Sequence, residues 1–144
     1  MNNNKTASTK LADIKREWWH ADAEGEILGR HAAKVAQLLI GKHKTNFVSN
    51  LDCGDYVVVT NVDKIEVTGK KLTQKKYYRH SGFPGGLKEI TLEKQLEKDP
   101  AKAFEHAVKG MLPKNKLRAK MLKRLKLITG ADHKYTDKQL KQIQ

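Results

Sequence analysis

The stretch Tyr56-Val57-Val58-Val59-Thr60-Asn61-Val62 constrains the fold of this chain more than any other. Its apolar run is too continuous for a strand with one wet face. It reads as a strand buried on both faces, as in a parallel sheet. Upstream, Trp18–Ala23 predicts a first strand, closed by the turn signal Asp22-Ala-Glu-Gly25. Between the two strands, Leu28, Ala32, Val35, Ala36 and Leu39 recur at the spacing of one helix face, and Gly41 is a natural stop. Strand, helix and strand in that order make a βαβ unit, which predicts parallel strands joined by a right-handed crossover. A chain of 144 residues suits a single domain with enough core to fold without disulfides.

Further along, Tyr77–Ser81 and Leu87–Thr91 flank the loop Gly82-Phe-Pro-Gly-Gly86, which predicts a hairpin. A helix is expected from about Leu92 to Lys98. Asp99-Pro100 then supplies an N-cap and a first-turn proline for another helix, with the stripe Ala101, Phe104, Val108 and Met111. After Pro113, Asn115 is placed to cap a last helix. Its apolar stripe is Leu117, Met121, Leu125 and Ile128, and Gly130 ends it. Residues 1–16 read as a flexible arm, 17–130 as one α/β domain and 131–144 as a loose polar tail.

Charge narrows the function. The formal net charge is +13, and an excess of that size points to a polyanionic partner. Its centre is the basic C-terminal segment. Lys109, Lys114, Lys116, Arg118, Lys120, Lys123, Arg124 and Lys126 follow one another with no carboxylate between Lys109 and Lys126. A merely solvated helix interleaves both signs to gain i,i+4 pairs, and this one forgoes them. A membrane-surface helix is the rival reading, but the apolar stripe has no aromatic anchor and the core needs it. In Tyr77-Tyr78-Arg79-His80, aromatics that can stack on bases stand beside cations. Gly85 and Gly86 would let backbone approach a phosphate. An ordinary strand and tight turn is the plainer reading. The linker Lys42–Gly54 is long for its place in an α/β unit, and reads equally as a binding loop or a wandering surface loop.

Catalytic motifs are missing. Gly69-Lys70-Lys71 lacks the upstream glycine and the hydroxyl residue of a P-loop. The histidines His20, His31, His43, His80, His106 and His133 contain no closely spaced zinc pair. Cys53 is the single cysteine, which excludes an internal disulfide and fits a reducing, cytoplasmic setting. It reads as inert filler, and Asp52 and Asp55 as turn and cap residues. A small α/β enzyme acting on RNA or a nucleotide is the alternative function, and it lacks an acid/base or metal constellation.

Three blocks together resemble one family, the L-thirteen proteins of the bacterial large ribosomal subunit. They are Gly54-Asp55-Tyr56-Val57-Val58-Val59, Lys75–Lys88 around Tyr77-Tyr78-Arg79-His80-Ser81-Gly82-Phe83-Pro84-Gly85-Gly86, and Val108-Lys109-Gly110-Met111-Leu112-Pro113-Lys114-Asn115-Lys116-Leu117. Leu28-Gly29-Arg30 and Gly41-Lys42-His43-Lys44 look similar too. One departure is Arg118-Ala119-Lys120, where the family usually has Gly and then Arg after the leucine; the helix there gains charge and loses a flexible point. The resemblance implies a three-layer α/β/α fold around a mainly parallel four-stranded sheet. It also implies binding to large-subunit ribosomal RNA early in subunit assembly, with neighbouring ribosomal proteins as further partners. It implies no catalysis; no cofactor, metal, membrane association or obligate homo-oligomer is expected. The candidate RNA contacts are Arg30, Lys42, His43, Lys44, Tyr77, Tyr78, Arg79, His80, Gly85, Gly86, Lys109, Lys114, Asn115, Lys116, Arg118, Lys120, Lys123 and Arg124.

Overall fold

A computed structural model describes residues 8–143. Strands β1 (Trp18–Asp22) and β2 (Tyr56–Thr60) pair in parallel, Trp18 opposite Tyr56 and Asp22 opposite Thr60. Helix α1 (Leu28–Ile40) connects them, as the βαβ pattern predicts. It terminates at Gly41, whose φ of 88° is the left-handed conformation that glycine adopts without strain.

Alternation along the strands separates two faces. Trp19, Ala21, Val57 and Val59 face one core with Ala32, Val35 and Leu39 of α1. Phe104 and Val108 of helix α4 (Pro100–Met111) and Met121 of helix α5 (Arg118–Lys123) complete it. On the opposite face the Trp18 and Tyr56 rings stack at 4.4 Å, and Tyr135 lies against Trp18 at 5.4 Å. His20 shares a 3.0 Å hydrogen bond with Thr60, and His133 lies 5.5 Å from its ring. Val57, Val58 and Val59 are all fully buried, so β2 is covered on both faces.

The two outer strands depart from expectation. The helix expected to run from Asn115 to Ile128 is only α5, and Leu125–Leu127 is strand β5, paired in parallel with Val57–Val59. The tail expected to be loose contains β6 (Leu140–Gln142), paired in parallel with Trp18–His20. The sheet order is β5-β2-β1-β6, all parallel. Tertiary pairing overrides local helical periodicity at Leu125, because completing the sheet edge hydrogen-bonds a backbone that lies beside the core.

The remaining elements form a second layer beside the sheet. Helix α2 (Lys71–Gln74) leads into the antiparallel hairpin of β3 (Lys76–His80) and β4 (Leu87–Thr91), a separate two-stranded sheet. Helix α3 (Leu92–Lys98) follows, capped by Thr91, and α4 begins at the Asp99-Pro100 signal with Asp99 accepting from the Lys102 amide at 3.1 Å.

The linker after α1 is held by buried charge, which corrects the reading of Asp52 and Asp55 as turn residues. Asp55 is fully buried. It accepts from the Glu17 amide at 2.9 Å, Trp19 Nε1 at 3.1 Å, His43 Nε2 at 2.9 Å and Lys44 Nζ. Asp52 takes both terminal nitrogens of Arg124, and Arg16 approaches it at 3.5 Å. Arg16 also donates to the Gly54 carbonyl at 3.0 Å. The expected flexible arm is therefore tied down by residue 16, while its residues 1–7 lie outside the described residues. The linker's return runs so close to α1 that a Cβ on Gly54 would stand 1.7 Å from the Leu39 carbonyl oxygen.

Candidate nucleic-acid interface

Strand parity sorts the two hairpin tyrosines. Tyr77 is half-buried, its ring edge-on to His106 of α4 at 4.9 Å, while Tyr78 is 65% exposed. Burial pushes the Tyr77 hydroxyl pKa up. Lys75 Nζ lies 5.5 Å from the Tyr77 ring centroid, within cation–π range. Arg79 and His80 are exposed. His80 Nδ1 accepts from the Gly82 amide at 2.9 Å, so one edge of that ring serves the turn. At the tip Phe83 is 74% exposed and Leu87 59%, an apolar end on a hairpin that stands outside the main sheet.

The loop glycines have different reasons to be glycine. Gly85 has φ 71° and open space around it. Gly86 has an ordinary φ, but a Cβ there would lie 2.0 Å from Ser81 Oγ and 2.9 Å from the Phe83 carbonyl oxygen. Glycine at 86 therefore has an intramolecular cause of its own, independent of any RNA contact.

The cations of the basic segment are carried by the end of α4, the turn after it and α5. Lys109, Lys114, Lys116, Lys120 and Lys123 are exposed. Asn115 does cap the short helix, accepting from the amides of Leu117 at 3.1 Å and Arg118 at 3.2 Å. Arg118 is half-buried and donates its Nε to the Pro113 carbonyl at 3.1 Å. Arg124 does not belong to the cationic face. Its side chain is 7% exposed, committed to Asp52 and to the carbonyls of Asp55 and Leu39. Lys44 is likewise withdrawn, donating to Asp55, the Lys15 carbonyl and the Cys53 carbonyl, and His43 pairs with Asp55. Asp52 lies in the linker and Asp55 directly after it, so Lys44 and His43 meet their carboxylate nearby while Arg124 reaches its own from far along the chain. Lys42, also in the linker, is exposed.

A groove of about 300 Å³ joins Tyr77 and Tyr78 to Gln95, Lys102, Glu105, His106 and Lys109. The structure thereby brings the aromatic block of the hairpin against the Lys109 end of the basic segment. Arg30 in the first turn of α1 and Lys42 just beyond its end are exposed and line none of this groove. Sequence reasoning missed His106 and Lys102, since a lone histidine and a lysine on a polar helix face carry no signal until the hairpin packs against them. Among the described residues, no group of His, Cys, Asp and Glu is placed to hold a metal ion. None of their helices is long and apolar enough to cross a membrane.

Residues 16–134 match the family model described as Ribosomal protein L13. The chain belongs to the ribosomal protein L13 family. Its relatives include the large ribosomal subunit protein uL13 of Dehalococcoides mccartyi, 55% identical over 128 residues, covering 89% of this chain and 90% of the relative. The protein of the same name from Lawsonia intracellularis is 53% identical over 135 residues, covering 94% of each chain. That of Nitrosococcus oceani is 50% identical over 135 residues, 94% of this chain and 95% of the relative. Family membership makes this protein a structural, non-enzymatic component of the ribosome, located in the cytoplasm with it, and disposes of the enzyme alternative.

Proposed function

We propose that the protein binds large-subunit ribosomal RNA as a structural constituent of the large subunit and helps the subunit assemble at an early stage. The observation that carries this reading is the row of exposed lysines, Lys109, Lys114, Lys116, Lys120 and Lys123, in a segment free of carboxylates whose Lys109 end shares a groove with Tyr77 and Tyr78 of the hairpin. Long cations hold phosphates, and the rigid α/β body fixes their spacing. Neutralising phosphate repulsion lets RNA segments approach one another, which is the physical demand of early assembly. Neighbouring ribosomal proteins are the remaining partners, and the exposed hairpin tip with Phe83 and Leu87 offers them or the RNA an apolar contact. The protein is not an obligate homo-oligomer in this reading.

Sedimentation tests this reading. Tagged protein in a lysate should migrate with large subunits and with their RNA-containing precursors in high salt. A pool that stays at the top of the gradient, with none in precursors, would contradict it.

A further inference from the structure

A second concavity lies on the far side of Tyr77. It encloses about 440 Å³ between the start of α1, the end of α4 and the hairpin. That volume falls in the ~300–1,000 Å³ range of small-molecule sites and is more than one protein side chain fills. Its aromatic wall is Tyr77, braced edge-on by His106. The Tyr77 hydroxyl is buried and has no hydrogen-bond partner among the described residues. Lys71 and Lys75, both exposed, stand at its border.

Two helical glycines also line it, Gly29 of α1 and Gly110 of α4. Neither has a positive φ, and a Cβ built on either meets nothing within 4 Å. Glycine is the poorest helix former after proline. Neither the backbone conformation nor the packing of this chain calls for it at these two places. What the two residues share is the cavity, where absent side chains leave helix backbone open to an occupant.

The geometry points to one unstacked RNA base seated in this cavity against Tyr77, with its ribose-phosphate held by Lys71 and Lys75. This rests on the RNA-binding reading above and adds a mode of contact that charge alone does not give. An apolar protein side chain would find the aromatic wall agreeable. It would waste the two lysines, whereas the phosphate of a nucleotide uses both.

Gly110→Leu puts a side chain into the cavity without altering charge, and Gly29→Leu does so from the opposite wall. With a transcript of large-subunit ribosomal RNA as the probe, each should lower affinity about 10-fold or more, the scale of one lost base stack. Melting temperature and the salt dependence of binding should stay unchanged. Ultraviolet cross-linking of the wild-type complex should leave a nucleotide adduct on the peptide carrying Tyr77 or that carrying His106. Should Gly110→Leu fail to fold, Gly29→Leu and the cross-link still decide. Wild-type binding with unaffected leucine variants would overturn the base pocket alone. A cross-link from these peptides to another ribosomal protein in assembled subunits would overturn it in favour of a protein contact. Absence of wild-type binding would overturn the RNA reading and the pocket with it.

Discussion

Tyr77 and Tyr78 are neighbours in sequence and opposites in the fold. Period-two alternation was enough to read that one of them packs inward, but not which, because the choice depends on His106 arriving from α4. Tyr78→Ala should therefore leave the melting temperature unchanged and weaken RNA binding by about 1–3 kcal/mol, as loss of an exposed stacking ring does. Tyr77→Ala should lower the melting temperature as well; equal thermal losses in both variants with RNA affinity intact would remove the stacking role. His31 is a different case. It is buried in α1 beside Phe104 at 5.8 Å with both ring nitrogens unpartnered among the described residues, and burial lowers its pKa below the usual 6.5. The unfolded chain then binds a proton at pH values where the native chain does not. Its contribution to stability is constant above pH 6.5 and falls on acidification from 6.5 toward the native pKa. His31→Leu should lose less stability than wild type over that acid window in urea titrations. Parallel losses would mean that His31 is not the group that senses acid.

At the scale of elements, the βαβ unit, the hairpin, α3 and the capped start of α4 were legible because each carries a local signal. Val57–Val59 shows continuous burial, Gly82 to Gly86 marks the turn, and Asp99-Pro100 marks a helix start. The two edge strands were not legible. Leu125 satisfies a helix stripe and a strand alternation equally, and only pairing with β2 decides between them. β6 is three residues long and carries Lys141, the short charged character of a protected edge, so its sequence looks like a tail. Those residues matter to the sheet. Truncation after Gly130 removes β6 together with the rings of His133 and Tyr135 that lie over His20 and Trp18. The truncated chain should melt at a lower temperature and show red-shifted tryptophan emission from Trp18. An unchanged spectrum and melting point would mean that the C-terminal segment does not cover that face.

Across the whole molecule, charge has two separate tasks that sequence alone merges. One set is structural, its cations drawn onto buried carboxylates: Arg124 and Arg16 on Asp52, and Lys44 and His43 on Asp55, join the N-terminal segment, the linker and the approach to β5. The other set is exposed and faces outward from α4 and α5. The basic run includes Arg124 with the outward-facing cations, since its partner Asp52, 72 residues away in sequence, leaves no local mark. Breaking a buried pair strands a charge, so Arg124→Ala should cost about 3–5 kcal/mol of folding stability, read from denaturant midpoints. Lys120→Gln, altering a surface cation, should leave stability nearly unchanged, and a comparable loss there would erase the distinction between the two sets. The central claim is that the exposed set meets RNA phosphate, and salt titration of RNA binding tests it most directly. Each neutralised phosphate contributes about 0.7–0.9 to the slope of log K against log salt. Replacing Lys116, Lys120 and Lys123 together with Gln should flatten that slope by about two units, with the fold intact. A slope unchanged from wild type would show that this face of the protein points into solvent and that the RNA lies elsewhere.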